Sequence, residues 1–362
     1  MGSEENTKGR LTQFCFYEDR ADHEIGLRFA VASLQRQYPD ARAVVFEPVV
    51  SAGLRRWLAQ RPGIEVAPSV AAGVRGWDAK PHCLLALLDR GAQEAIWLDS
   101  DLIVTGDFLT WMRSRGDEAL IVAQEPRHFP QQGTANRAAA WGFARGRELG
   151  FTVNSCVVRV TPRHRELLVA WARLLERADY RAAQKRHALD RPFHFVGDQD
   201  ALGALLGSAG FAAMPVRVLR AGREVVHSGG LMMDPPAGRL ARPFARPLFV
   251  HAIAAKPWIV LRKRGNERGF DWWLLRLSHE VSSYVARARQ FREATGEPQA
   301  WLDHATFAGR MLRVLGLGSD WLRGLPLAAA MSVAHALGLS RRPPAVVAES
   351  PARTIDARPP DA

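Results

Sequence analysis

From Phe14 onward the chain alternates short apolar runs with stretches of helical hydrophobic spacing, and no other feature limits the fold as much. Phe14-Cys15-Phe16-Tyr17 reads as a buried strand. Ile25 to Tyr38 then places Leu27, Ala30, Val31 and Leu34 at helical spacing among arginines. Ala43 to Phe46 reads as a second strand, and Ser51 to Gln60 as a second helix with Ser51 as its N-cap. A third short run ends at Val66. Pro81 to Leu88 resumes the helical period, Gly91 closes it, and Ala95 to Leu98 is the next strand. A βαβαβ order predicts a parallel sheet with helices on both faces, whose ligands gather at the carboxyl ends of the strands.

Leu120 to Ala123 and Val157 to Val160 read as further strands, separated by a polar stretch, Glu125 to Arg147, long enough for an active-site loop. Arg163 to Ala178 is an amphipathic helix carrying Leu168, Trp171 and Leu175, and Leu248 to Val250 is a strand that ends at His251. After about Arg262 the pattern becomes helical, with Trp272, Leu275, Tyr284 and Val285 set among arginines and more helix over 300–340. The expected organisation is a flexible start (1–10), one α/β domain (11–262), a helical C-terminal extension (263–340) and a disordered tail (341–362) rich in Pro, Arg and Asp.

A chain of 362 residues with 47% hydrophobic content can bury a sizeable core. Its net charge of +12, carried mostly by arginine, suits anionic partners such as nucleotide diphosphates, acidic lipid head groups or nucleic acid; compositional bias accounts for the same charge without a partner. Cys15, Cys83 and Cys156 form no CxxC pair and sit among apolar residues, as buried reduced thiols do. No apolar leader-like run opens the chain, so the expected compartment is the cytoplasm. Trp321 to Ser340 is fairly apolar, but Arg323, Pro326 and His335 interrupt it. It reads as a packed helix, or as an interfacial helix aided by Arg341 and Arg342 at an anionic membrane surface, rather than as a span.

The segment richest in chemistry is Glu94 to Val104, where an apolar strand feeds into Asp99-Ser100-Asp101 and apolar residues resume. Carboxylates between buried runs are costly without partners, and two of them at a strand end suit a hard divalent cation, Mn²⁺ or Mg²⁺, that bridges phosphates. His251 ends a strand ahead of Lys256-Pro257-Trp258; a lone histidine there is structural, and beside the aspartates it is a third ligand. Asp198-Gln199-Asp200 opens a helix, either as capping groups or as groups that face sugar hydroxyls. Asn154 precedes a strand in Thr152-Val153-Asn154-Ser155-Cys156.

Taken in order, Leu98-Asp99-Ser100-Asp101, Asn154-Ser155-Cys156, Asp198-Gln199-Asp200 and His251 with Lys256-Pro257-Trp258 resemble the family 8 retaining glycosyltransferases and related GT-A-fold nucleotide-diphosphosugar transferases. The resemblance spans roughly residues 11 to 260 and rests on the order of the motifs. It implies a Rossmann-like central mixed sheet flanked by helices, with a metal held by Asp99, Asp101 and His251. It implies donor-sugar contacts from Asn154 and Asp198, Gln199 near the anomeric carbon, and Lys256 on the diphosphate, helping the nucleotide leave. Glu18, Asp19 and Lys80 would meet the nucleotide, and Asp200 and Trp258 complete the implied substrate-binding set. The implied reaction moves a hexose from a UDP-sugar to a glycan or lipid-linked acceptor with retention. Two departures stand out: Cys156 replaces the family's glycine after Asn154, and the His251-to-Lys256 segment lacks a glycine and is one residue short.

Two other readings compete. A sugar-nucleotide nucleotidyltransferase shares the sheet but carries a Gly-rich basic phosphate loop after its first strand, which Tyr17-Glu18-Asp19-Arg20 is not. A non-catalytic nucleotide- or nucleic-acid-binding protein would also be basic. The arginines here are dispersed, however, without a zinc, helix-turn-helix or aromatic RNA-binding signature, so no nucleic acid is expected.

Overall fold

The computed structural model describes residues 11–338 apart from 48–50, 71–72, 230–235, 263–268, 297, 304–305 and 317–318; the expected flexible start and disordered tail lie outside the described residues. Ten strands form two sheets: β1 (Thr12–Tyr17), β2 (Ala43–Glu47), β3 (Ile64–Pro68), β4 (Glu94–Leu98), β5 (Leu102–Val104), β6 (Leu120–Gln124), β7 (Val153–Val160), β8 (Val216–Leu219), β9 (Val225–His227) and β10 (Phe249–His251). The large sheet has seven strands in the order β3-β2-β1-β4-β7-β6-β8, and a small one has the order β5-β10-β9.

Strands β1 to β4 pair in parallel, as the βαβαβ pattern predicts. The next strand, β7, runs antiparallel to both β4 and β6, so the sheet is mixed. Every residue of β7 is buried, and a strand covered on both faces has no hydrophobic alternation to reveal its surroundings. Alternation does sort the two faces: Phe14 and Phe16 join one apolar cluster, Cys15 and Tyr17 the other. Helices cover both faces, with Glu24–Gln37 on the first and Ala79–Asp89 with Arg165–Glu176 on the second.

The second helix spans Ala52–Ala59, and its N-cap is Ser51 as expected, the hydroxyl accepting from Leu54 N–H at 3.1 Å. Asn154 lies inside β7 rather than before it. The polar stretch after Glu125 includes a short helix, Thr134–Ala140. Past residue 262 the expected amphipathic helix is two helices, Phe270–Glu280 and Ser283–Ala288, divided where Ser282 caps the second. Among the described residues, this extension adds to an existing apolar cluster rather than forming its own. Tyr284, Val285, Phe291 and Trp301 join the cluster beneath Glu24–Gln37, while Arg28 and Trp57 donate to the carbonyls of Thr295 and Ala294.

Candidate active site

The chain leaves the large sheet at Leu98 and enters the small one at Leu102, and Asp99-Ser100-Asp101 is the crossing between them. Backbone bonds fix both ends of the crossing. Asp99 N–H donates to the carbonyl of Cys156 on β7 at 2.9 Å, and the Asp101 carbonyl accepts from Ala252 N–H, just past β10, at 3.0 Å. The antiparallel register sets His251 opposite Leu102. His251 Nε2 therefore lies 3.2 Å from Asp101 Oδ1 and 3.9 Å from Asp99 Oδ2.

Two lysines close on this pair from opposite sides. Lys80, in the first turn of Ala79–Asp89, is buried and sits 3.1 Å from Asp99 and 3.4 Å from Asp198. It donates to Ser155 Oγ at 2.7 Å, and that hydroxyl donates in turn to Asp198 at 2.7 Å. Lys256 Nζ donates to Asp101 Oδ2 at 2.5 Å and to the Ala252 carbonyl at 2.7 Å. Burial opposes ionisation of Asp101, yet Lys256 and His251 outweigh it and hold the carboxyl well below its usual range. Burial likewise works against Lys80, but Asp198 and Asp99 keep its ammonium firmly protonated, its pKa above the ordinary lysine value. Burial pushes Asp198 up in spite of Lys80.

Lys80, Asp99, Asp101, Asp198, His251 and Lys256 line one cavity of about 300 Å³, and Glu18, Asp19, Asn154 and Gln199 line it as well. Glu18 accepts from Ser100 Oγ at 2.5 Å and from Arg20, which also lines the cavity. Asp19 accepts from Gly76 N–H at 2.8 Å, and Trp77 stands at the rim, 40% exposed.

Two expected substrate contacts lie elsewhere. Asp200 turns away from the cavity, accepting from Gly197 N–H at 2.9 Å and pairing with Arg137 Nε at 3.0 Å. A residue two positions along a helix points about 200° away, so Asp198 and Asp200 cannot share a face. Trp258 is fully buried against Gly26, Tyr284 and Trp301, where a side chain on Gly26 would come within 2.8 Å of its ring. Its place is the floor beneath the site.

The two sequence departures also find their places. Cys156 sends its side chain into the apolar core, and its N–H donates to Asn154 Oδ1 at 2.9 Å, so the thiol takes no room in the cavity. In the shortened His251-to-Lys256 segment, Ala254 has φ of 58°, the left-handed region that favours glycine.

Glu125 is a cavity residue outside the sequence motifs. Glu125 follows β6 directly and accepts from Asn154 Nδ2 at 2.7 Å and from Gln199 Nε2 at 3.3 Å; burial raises its pKa. The signal was the one that marked Asp99, a carboxylate at the carboxyl end of a buried strand.

The trio fits a divalent cation. Asp99, Asp101 and His251 offer ligand atoms within 4.8 Å of one another, two hard oxygens and one imidazole nitrogen. Asp101 Oδ1 is buried and makes no well-formed hydrogen bond, an acceptor left for some further partner.

No protein-family model and no curated protein matches the chain. Among solved structures it is similar to the galactosyltransferase LgtC bound to donor and acceptor sugar analogues, with 18% identity over 80% of this chain and 98% of that one and a TM-score of 0.45. It is also similar to the bifunctional glycosyltransferase WbbM, with 12% identity over 81% of this chain and 52% of that one and a TM-score of 0.48. Mouse xyloside xylosyltransferase 1 gives 14% identity over 67% of this chain and 97% of that one, with a TM-score of 0.40.

Proposed function

We propose that the chain is a metal-dependent glycosyltransferase that moves a hexose from a nucleotide-diphosphate sugar, a UDP-sugar, to a glycan or lipid-linked acceptor with retention. The observation that carries this reading is the convergence of Asp99, Asp101 and His251 with Lys80, Lys256, Asp198, Gln199 and Glu125 on one cavity. A bound Mn²⁺ or Mg²⁺ would supply charge to neutralise a diphosphate. Asp99, Asp101 and His251 would hold it. Lys256 reaches Asp101 from the loop after β10, where an ammonium can meet the departing nucleotide's charge. Asp198, Asn154 and Gln199 present acceptors and donors of the kind sugar hydroxyls require. Glu18, Asp19 and Trp77 offer carboxylates and an aromatic face for ribose and base.

Each carboxylate of the pair already has a lysine, Asp99 with Lys80 and Asp101 with Lys256, and that observation favours a second reading in which ammonium groups alone neutralise the diphosphate. Nucleotide release from UDP-hexoses, measured with Mn²⁺ and after exhaustive chelation, separates the two. Turnover that survives chelation unchanged sinks the metal role. Absence of UDP affinity by calorimetry, with GDP as the comparison, sinks the donor assignment.

Peripheral contact with an anionic membrane at the cytoplasmic face belongs to the same proposal. Among the described residues no helix is long and apolar enough to cross a membrane. The segment expected at the interface, 321–340, instead begins with buried Trp321 and Arg323 and continues as the half-buried helix Leu325–Ala336. Helix Phe307–Leu315 has the stronger amphipathic face: Phe307, Met311, Val314 and Leu315 are 71, 44, 68 and 65% exposed, and Arg310 and Arg313 flank them. Burial, and after it the nearby Arg323 and Arg313, push Arg289 down to about 10. Full-length protein should co-sediment with phosphatidylglycerol vesicles at low salt, and the double variant Phe307→Ser with Leu315→Ser should not. Indifference of the wild type to such vesicles ends this part of the proposal.

A further inference from the structure

We infer that His227 is a positioning residue that locks His251 in the tautomer able to ligate a cation; the inference rests on the metal reading of Asp99, Asp101 and His251. The two histidines are register partners on the parallel strands β9 and β10, and both rings are buried. Their Nδ1 atoms lie 3.0 Å apart, and His227 Nε2 lies 2.8 Å from the Gln124 carbonyl oxygen.

The proton positions follow from what each atom is able to do. A carbonyl oxygen only accepts, so His227 Nε2 carries a hydrogen. The partners of His227 are a carbonyl and another imidazole, and neither supports a positive ring as a carboxylate would. A neutral His227 with hydrogen on Nε2 has a bare Nδ1, and two bare nitrogens at 3.0 Å would repel, so the hydrogen between them belongs to His251 Nδ1. With Nδ1 committed to His227, Nε2 is the nitrogen of His251 left to ligate, and it is the atom that faces Asp101 and Asp99.

The opposite tautomer would put a hydrogen on Nε2, toward the carboxylates, and take that nitrogen out of the ligand set. Without His227 that tautomer is the better one. The chain from Gln124 through His227 to His251 therefore turns Nε2 toward the two carboxylates as the nitrogen available to a cation. Its anchor is main chain at the end of β6, which does not rotate as a side chain would.

The test uses full-length protein and Mn²⁺ alone, without nucleotide, with free Mn²⁺ read by electron paramagnetic resonance and each variant's Tm measured alongside. His227→Leu, which has no acceptor, should weaken Mn²⁺ binding about tenfold or more, the usual range for losing such an outer partner. His227→Gln, whose amide stands near the Nε2 position, should lose as much. His227→Asn, whose oxygen can stand where Nδ1 does, should stay near wild type. A folded Leu variant that binds Mn²⁺ as tightly as wild type overturns the inference, as does equal loss in all three variants. Should His227→Leu not fold, ¹⁵N spectra of histidine-labelled wild type with Mg²⁺ decide. Hydrogen on His227 Nε2 and His251 Nδ1 is the expected pattern, and hydrogen on His227 Nδ1 overturns it. Wild type that binds no Mn²⁺ at all is a different failure, that of the metal reading itself, and the inference falls with it.

Discussion

Glu94 opens β4 and Asp99 follows its last residue, so a single strand carries two carboxylates in contrasting surroundings. Glu94 is fully buried and paired at both oxygens: one accepts from Arg159 Nε at 2.6 Å, the other from Thr12 Oγ1 at 2.7 Å. Arg159 in turn donates to the carbonyls of Gly116, Asp117 and Ala119, so neither side chain has a buried nitrogen or oxygen without a partner. At the carboxyl end, Asp99 and Asp101 share His251, with Lys80 beside Asp99 and Lys256 beside Asp101, and they face a cavity with Asp101 Oδ1 unsatisfied. Burial alone therefore does not mark a functional acid. What separates the ends is whether each charge has its own fixed partners or several charges converge on open space.

The contrast can be broken by substitution at each end. Asp101→Asn should keep the fold and cut kcat/KM on the order of 10³-fold, about 4 kcal/mol, the size expected when a charge-stabilising group is lost from a site. A loss under tenfold, measured by nucleotide release, would place the chemistry elsewhere. Glu94→Ala should do the reverse. It strands a buried guanidinium, which costs about 3–5 kcal/mol of stability, while turnover per folded molecule stays near wild type. Urea denaturation beside active-site titration checks both halves.

Asp198 and Asp200 repeat the contrast within one helical turn. Asp198 faces Lys80 and the cavity, whereas Asp200 is committed to Arg137 and the helix start. Asp200→Asn should cost about 1–3 kcal/mol, as for a weakened buried hydrogen-bond set, with KM for the donor unmoved. A large KM change would return Asp200 to the binding surface.

This pair also marks the limit of what is legible without coordinates. Asp99, Asp101 and His251 stood out because carboxylates between apolar runs, and an imidazole at a strand end, are anomalies against a buried pattern. Asp200 and Trp258 were grouped with functional neighbours because motifs are contiguous in sequence, although side chains on a helix are not contiguous in space. Glu125 carried the same strand-end signal as Asp99 but opened a polar stretch, where a carboxylate excites no suspicion. β8 and β9, and His227 with them, are silent in the sequence because both are short and broken up by Arg217, Arg220, Arg223 and Glu224, whereas the equally short β10 shows through its unbroken Leu248-Phe249-Val250 run. The direction of β7 was equally silent, since burial on both faces is compatible with either pairing.

The smallest effect sharpens the comparison by adding pH to it. Asp78 sits behind Lys80, accepts from Tyr180 Oη at 2.8 Å, and lies in the field of Asp198. Burial raises its pKa to about 7 although the Tyr180 bond lowers it, so unlike Asp101 it has no cation that wins. The sign follows from linkage. The folded protein holds this proton more tightly than the unfolded chain, so the group's contribution to stability is greatest below the ordinary carboxyl range. It declines as pH rises through that range and is fully lost above about 7. Asp78→Asn keeps an acceptor for Tyr180 but has no charge to bury, and it should be more stable than wild type by about 1–2 kcal/mol at pH 8, after discounting for partial solvent access. At pH 4 the gain should nearly vanish. Thermal unfolding at both values reads the difference directly, and equal gains at the two would mean that Asp78 does not ionise within this range. It would then resemble Glu94, an acid held by its own fixed partners, rather than the acids that converge at the carboxyl end of β4.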